Sequence, residues 1–149
     1  MAERVSKRYM PDGWTLPLPF DFNRPFFTAG ELRVQRCDAC HRVQHPPMDV
    51  CHHCQSLELS SEAAAGTGTI SSFSIVHHAA DKRLEAILPY NVTIVVLDDH
   101  PEVHVVGNVI DARPEELAID AAVRCTFAEV PDEQTGETLW FPQWELVRG

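Results

Sequence analysis

With 149 residues and 44% hydrophobic side chains, the chain can bury one modest core plus a small appendage. Its net charge of -10 is lopsided: residues 1–54 carry seven Lys/Arg against six Asp/Glu, while residues 55–149 carry five against sixteen. Such an acidic second part repels phosphate backbones, which argues against nucleic acid, and no run of eighteen apolar residues exists to span a membrane.

Residues 1–20 read as an extended N-terminal arm. Pro11, Pro17 and Pro19 punctuate it, yet Trp14, Leu16, Leu18 and Phe20 alternate, which suits a segment lying on a surface. Met1 to Met10 is charged and holds no apolar leader, so a reducing, cytoplasmic setting is expected. Residues 21–60 then read as a short helix plus a cysteine-bearing ribbon. Asp21 or Asn23 offers an N-cap, Pro25 sits in the first turn, Phe26 and Phe27 are anchors and Gly30 is a stop, which predicts about two helical turns.

The ribbon carries the densest chemistry in the chain. Cys37/Cys40 and Cys51/Cys54 form two Cys-x-x-Cys pairs with ten residues between them. Each such turn aims two sulfurs at one point, and Pro46 and Pro47 stiffen the reversal that brings the second turn opposite the first. Four thiolates close a tetrahedral zinc site with no open position, which makes a scaffold rather than a reaction centre. Two disulfides are disfavoured in a reducing setting. Attachment of c-type haem through Cys37-Asp38-Ala39-Cys40-His41 leaves Cys51 and Cys54 unexplained. Thiolate ligands do not by themselves separate iron from zinc. Rubredoxin knuckles, however, usually place Gly after the second Cys, where this chain has His41 and Gln55, and zinc is favoured. His41, His45, His52 and His53 crowd the same segment and are expected outside the ligand set.

From residue 61 to 149 the punctuation is that of strands. Thr69 to His78, Tyr90 to Leu97, Val103 to Ile110, Val123 to Val130 and Thr138 to Val147 give five, with Gly107 expected at a bulge or bend. A helical turn begun by Pro114 and Glu115 follows the third. Five short strands with a small helix after the third predict a closed barrel of the OB type, which also removes exposed sheet edges. Cys125 reads as a small buried hydrophobe. His77 and His78, expected on opposite faces of a strand, and the isolated His104 do not make a metal pair. No phosphate loop, nucleophile elbow or His-Glu-x-x-His pair is present, so the chain is not expected to be an enzyme on its own.

In order along the chain stand a short aromatic helix, Gly30-Glu31-Leu32, Cys37-x-x-Cys40, Pro46-Pro47, Cys51-x-x-Cys54, Gly66-x-Gly68-Thr69-Ile70 and Pro89-Tyr90, followed by a terminal barrel. Over about residues 21–147 this order resembles the zinc-ribbon/OB-fold acyl-CoA-associated family, of the domain-of-unknown-function 35 type. The resemblance implies a mainly β fold: a short helix and a rubredoxin-like zinc ribbon, then a five-stranded OB barrel. It further implies an accessory subunit that binds and activates or stabilises a thiolase-fold, lipid-transfer-protein-type enzyme, with a steroid side-chain aldolase or thiolase as the favoured partner. A MaoC-like enoyl-CoA hydratase is the alternative partner. In such assemblies the ribbon and barrel help shape the channel for the acyl-CoA arm. Trp14, Phe26 and Phe27 are the candidate interface anchors, with packing in the chain's own core as the rival reading. A single-stranded nucleic-acid module is the competing class, because both folds serve single strands; the acidic barrel half counts against it.

Overall fold

Apolar residues that recur at every second position, broken by Gly, Pro and Asp, build eight strands and a single short α-helix among the described residues. The computed structural model describes residues 10–149, so residues 1–9 of the predicted arm lie outside the described part. Helix α1 spans Arg24–Thr28, little more than one turn rather than two. Pro25 pre-sets its start, and Gly30, at φ 70°, turns the chain out before a second turn can form. Asn23 stands at the N-cap without capping the helix; its side chain accepts from Phe20 N at 2.6 Å and donates to Leu18 O at 3.3 Å, fixing the preceding turn instead.

Strands β1 (Arg33–Cys37), β2 (Val43–Gln44) and β3 (Leu59–Ala63) form an antiparallel sheet in the order β2-β1-β3. The expected ribbon lacked β3, because Ser60, Ser61 and Glu62 give it no apolar alternation. Its register against β1, Arg33↔Ala63 to Cys37↔Leu59, supplies what its side chains do not. Strand β1 is covered on both sides: Val34 faces the barrel core and Gln35, 4% exposed, faces the loop before Cys51.

The second sheet comprises β4 (Thr67–Val76), β5 (Tyr90–Leu97), β6 (His104–Gly107), β7 (Ala122–Pro131) and β8 (Thr138–Leu146), in the order β6-β5-β4-β7-β8. A parallel bridge between Val109 and Trp144 brings the two ends together, with Trp144 N donating to Asn108 O and Ile110 N to Trp144 O. The first strand pairs with the second and the fourth, and the third meets the fifth in parallel. The result is a nearly closed five-strand barrel of OB type.

The bulge expected at Gly107 lies instead at Ser71, where the β4–β5 register shifts between Ile70 and Ser72. One extra residue changes the phase of the strand, so Ile70 before it and Phe73 and Ile75 after it all join the core. Strand β6 simply ends at Gly107, which packs against Trp144. Gly68 is dictated by close approach: a Cβ there would lie 2.4 Å from Val96 O across the ladder. His77 and His78 fall beyond the end of β4 and are exposed, not within the strand as expected. A 3-10 turn over Lys82–Ile87 links β4 to β5, and another, Pro114–Glu116, follows the third barrel strand as expected.

Ile70, Val95, Leu97, Val105, Val123 and Trp144 form the barrel interior, and Leu32 and Val34 from the ribbon belong to the same buried cluster. The ribbon is therefore built into the barrel's core rather than appended to it. Among the described residues, no helix is long and apolar enough to cross a membrane.

Candidate metal centre and docking face

The two Cys-x-x-Cys turns are built alike. In the first, Cys37 N donates to Arg42 O at 2.9 Å and His41 N to Cys37 O at 2.8 Å; in the second, Cys51 N donates to Ser56 O at 2.9 Å and Gln55 N to Cys51 O at 3.0 Å. Backbone N–H groups also point at sulfur, from Cys40 to Cys37 Sγ at 3.5 Å and from His53 to Cys51 Sγ at 3.4 Å. These turns require a left-handed residue after the second cysteine, and His41 and Gln55 both adopt φ 64°. The knuckle conformation thus survives without the customary glycine, at a cost of about 1 kcal/mol per position. We expect Gln55→Gly to raise the stability of the zinc-loaded protein by ~0.5 kcal/mol, the remainder being offset by glycine's greater freedom when unfolded. Gln55→Ala, which keeps a Cβ, should bring no such gain in urea unfolding.

The four sulfurs all lie within 4.8 Å of one another, with Cys37–Cys54 at 3.5 Å and Cys40–Cys51 at 3.7 Å. A tetrahedron with zinc–sulfur bonds of about 2.3 Å has edges of about 3.8 Å, so the cage fits one zinc ion. All the cysteines are free, and the separations are far beyond a disulfide bond. Among the described residues, no histidine joins the cluster. Backbone N–H bonds from the Cys54 and His53 positions hold the Cys51 thiol down to about 6. At Cys54 the backbone bond from Ser56 favours the thiolate, but the bond with Cys37 and burial push it up to about 11. Four crowded thiols cannot all ionise without a cation among them, and a divalent ion removes that conflict.

The loop that delivers Cys51 is tied to β1 by amide side chains. Gln35 Nε2 donates to Met48 O at 2.8 Å and Gln35 Oε1 accepts from Met48 N at 3.0 Å. Gln44 Nε2 donates to Gln35 Oε1 at 2.7 Å, and Gln44 Oε1 accepts from His52 N at 2.9 Å. Cysteine spacing does not reveal this pair; the only sign was two glutamines at strand positions facing the loop.

The three aromatic candidates do not converge. Phe26 and Phe27 are half-buried, edge to face at 5.1 Å, with Phe26 5.1 Å from the His45 ring and Phe27 5.7 Å from Phe141. They line a cleft of about 500 Å³ between α1 and the barrel, with Pro46, Val106, Phe141 and Pro142 as further apolar walls. His45 Nδ1 is buried there without a hydrogen-bond partner among the described residues, and burial pushes its pKa down to about 4, so the ring is neutral near pH 7. Trp14 lines a separate cavity beside Val130–Gln134, with the Arg83 guanidinium 4.5 Å above its ring. His104 is exposed on β6; Cys125 is half-buried against the core rather than fully buried, and burial pushes its thiol up to about 12.

Comparison with known proteins adds names to this geometry. Residues 28–60 match the family model described as the ChsH2 rubredoxin-like zinc ribbon domain, and residues 61–128 match the ChsH2 C-terminal OB-fold domain. Two hydratase alpha subunits are similar: a probable enoyl-CoA hydratase alpha subunit of Thermomonospora curvata (33% identity over 76% of this chain) and the 3-oxo-4,17-pregnadiene-20-carboxyl-CoA hydratase alpha subunit of Mycobacterium tuberculosis (34% over 70%). The chain spans only about a third of their length, 35% and 32%. A DUF35 domain-containing scaffold protein of Methanocaldococcus jannaschii is 27% identical over 66% of this chain and 68% of its own. Among solved structures, a chain of the Ltp2-ChsH2(DUF35) aldolase superposes with a TM-score of 0.72 at 30% identity, covering 88% of this chain and 98% of that one.

Proposed function

Because this chain belongs to the ChsH2 (DUF35) family of zinc-ribbon and OB-fold proteins, we propose that it is a non-catalytic accessory subunit that binds and activates or stabilises a thiolase-fold acyl-CoA enzyme. The observation that carries this reading is the near-complete superposition on a chain of the Ltp2-ChsH2(DUF35) aldolase. A steroid side-chain aldolase or thiolase is the favoured partner. That partner supplies the carbon–carbon bond chemistry with its own nucleophile or base.

Cys37, Cys40, Cys51 and Cys54 hold one structural zinc, which cross-links the ribbon and leaves no coordination site for substrate. Phe26 and Phe27 serve as anchors toward the enzyme. The cleft they line, apolar-walled and large enough for a slender chain, receives part of the acyl-CoA arm. Trp14 acts from its separate position on the arm. The names of the two hydratase subunits favour one second reading, a MaoC-like hydratase as partner.

Single-stranded nucleic acid is not the expected ligand. Among the described residues, Arg24, Arg36, Arg124 and Arg148 are paired with Glu137, Glu62, Glu145 and Glu116, which leaves little positive charge there for a backbone. Co-expression with a thiolase-fold enzyme and, separately, with a MaoC-like hydratase from the same genome tests the proposal. The expected result is copurification with the thiolase-fold enzyme and a gain in its activity or solubility. Absence of both gains with either enzyme would overturn the accessory reading, and a gain with the hydratase alone would decide for the second.

A further inference from the structure

We infer that the groove between α1 and the ribbon sheet seats a segment of the partner enzyme in which an apolar side chain is flanked by lysine or arginine. The inference rests on the reading that this chain binds an enzyme subunit, and it says where and through what chemistry.

The groove has a volume of about 370 Å³; Phe22, Pro25, Pro47, Leu57 and Leu59 are among its apolar lining, and Phe26 is shared with the cleft. Leu57 is 78% exposed, and Phe20, stacked on Phe22 at 5.6 Å, is 53% exposed. Large apolar side chains held this open beside a concave surface gain free energy when a partner covers them.

Charge then narrows the partner. Asp21 and Asp49 line the same groove, and among the described residues neither carboxylate has an ion pair or a hydrogen bond. Arg33, the one cation in the lining among the described residues, is already engaged by Glu31 at 2.6 Å and by Ser61. Two unpaired carboxylates bordering apolar side chains are complementary to an apolar residue set among basic ones, and the chain's net charge of -10 steers the same partner over longer range.

The groove is also preformed. Its Pro47–Asp49 wall hangs from Gln35 through Met48, so the zinc ribbon holds it in shape before any partner arrives.

The test compares wild type, Leu57→Glu, the double variant Asp21→Lys/Asp49→Lys and the control Ile119→Glu. Ile119 is an exposed apolar residue outside the groove. Dissociation constants for the thiolase-fold enzyme are measured at low and high salt, with zinc content checked in each protein. Leu57→Glu is expected to weaken the complex roughly tenfold or more at either salt. Charge reversal is expected to weaken it by a similar factor at low salt, with the difference shrinking at high salt. Ile119→Glu should bind as wild type does. If wild type binds and both groove variants bind equally well, the groove is overturned while the accessory function stands; if only the charge reversal is silent, the basic flank is overturned. Weakening by Ile119→Glu to the same degree would also overturn the groove, and failure of wild type to bind would remove the accessory function and with it this surface.

Discussion

Serine in place of Cys51 is expected to release the zinc and unfold the ribbon, residues 33–63, with a loss of at least ~5 kcal/mol, because metal binding and folding are one reaction at such sites. The estimate is set by how little else holds this segment. Strand β2 is two residues long, β3 alternates poorly, and the loop between the knuckles hangs on Gln35 and Gln44. Damage should reach the barrel too, since Leu32 and Val34 complete its core. Elemental analysis should give one zinc per wild-type chain and none for the variant. Hydrogen exchange should show lost protection across β1 to β3 and weakened protection in β4 and β5. Full protection and unchanged enzyme binding in the serine variant would contradict both the cross-linking role and the preformed groove. A strong chelator applied to wild type should reproduce the result without any substitution.

What could be read before folding follows from which forces are local. The zinc cage was legible because each knuckle is a short-range motif whose residues define it, and only the left-handed His41 and Gln55 departed from custom. Strand positions in the barrel were legible from β-branched runs, since Tyr90–Leu97 alternates Asn91, Thr93, Val95 and Leu97 inward against Val92, Ile94 and Val96. Features set by pairing between distant strands were not. Strand β3 exists because β1 presents an edge to it, and the bulge at Ser71 exists because β5 fixes a register that β4 alone does not encode. Trp14, Phe26 and Phe27 looked equivalent as aromatics, yet the fold places Trp14 under Arg83 and the two phenylalanines in the cleft. Composition reports that large aromatic side chains exist; long-range geometry decides which of them share a surface.

Asn91 is the least conspicuous of these distant links, and its removal should have the second-largest effect. Asparagine is disfavoured in strands, and here it stands inside a β-branched run at 3% exposure. Its side chain works as a clamp on Val109: Nδ2 donates to Val109 O at 2.8 Å, and Oδ1 accepts from Val109 N at 2.7 Å and from Thr93 Oγ1 at 2.9 Å. The Asn108 side chain returns a bond to Asn91 O. Beyond Gly107 the chain has left its ladder with β5, so Asn91 substitutes for the missing ladder bonds at the point where Val109 bridges to Trp144 and the barrel closes. Asn91→Ala removes the bonds to the Val109 N–H and C=O and to Thr93 Oγ1 at once, at a cost of about 3 kcal/mol. Asn91→Asp should be nearly as harmful, because a carboxylate meets the Val109 carbonyl where a donor is needed. Urea unfolding measures the loss. The zinc content of the alanine variant should stay at one per chain, since the cage lies in the other sheet, and this separates the prediction from that for Cys51. A loss well under about 1 kcal/mol would mean that ordinary packing around Trp144, rather than this amide, holds the barrel shut.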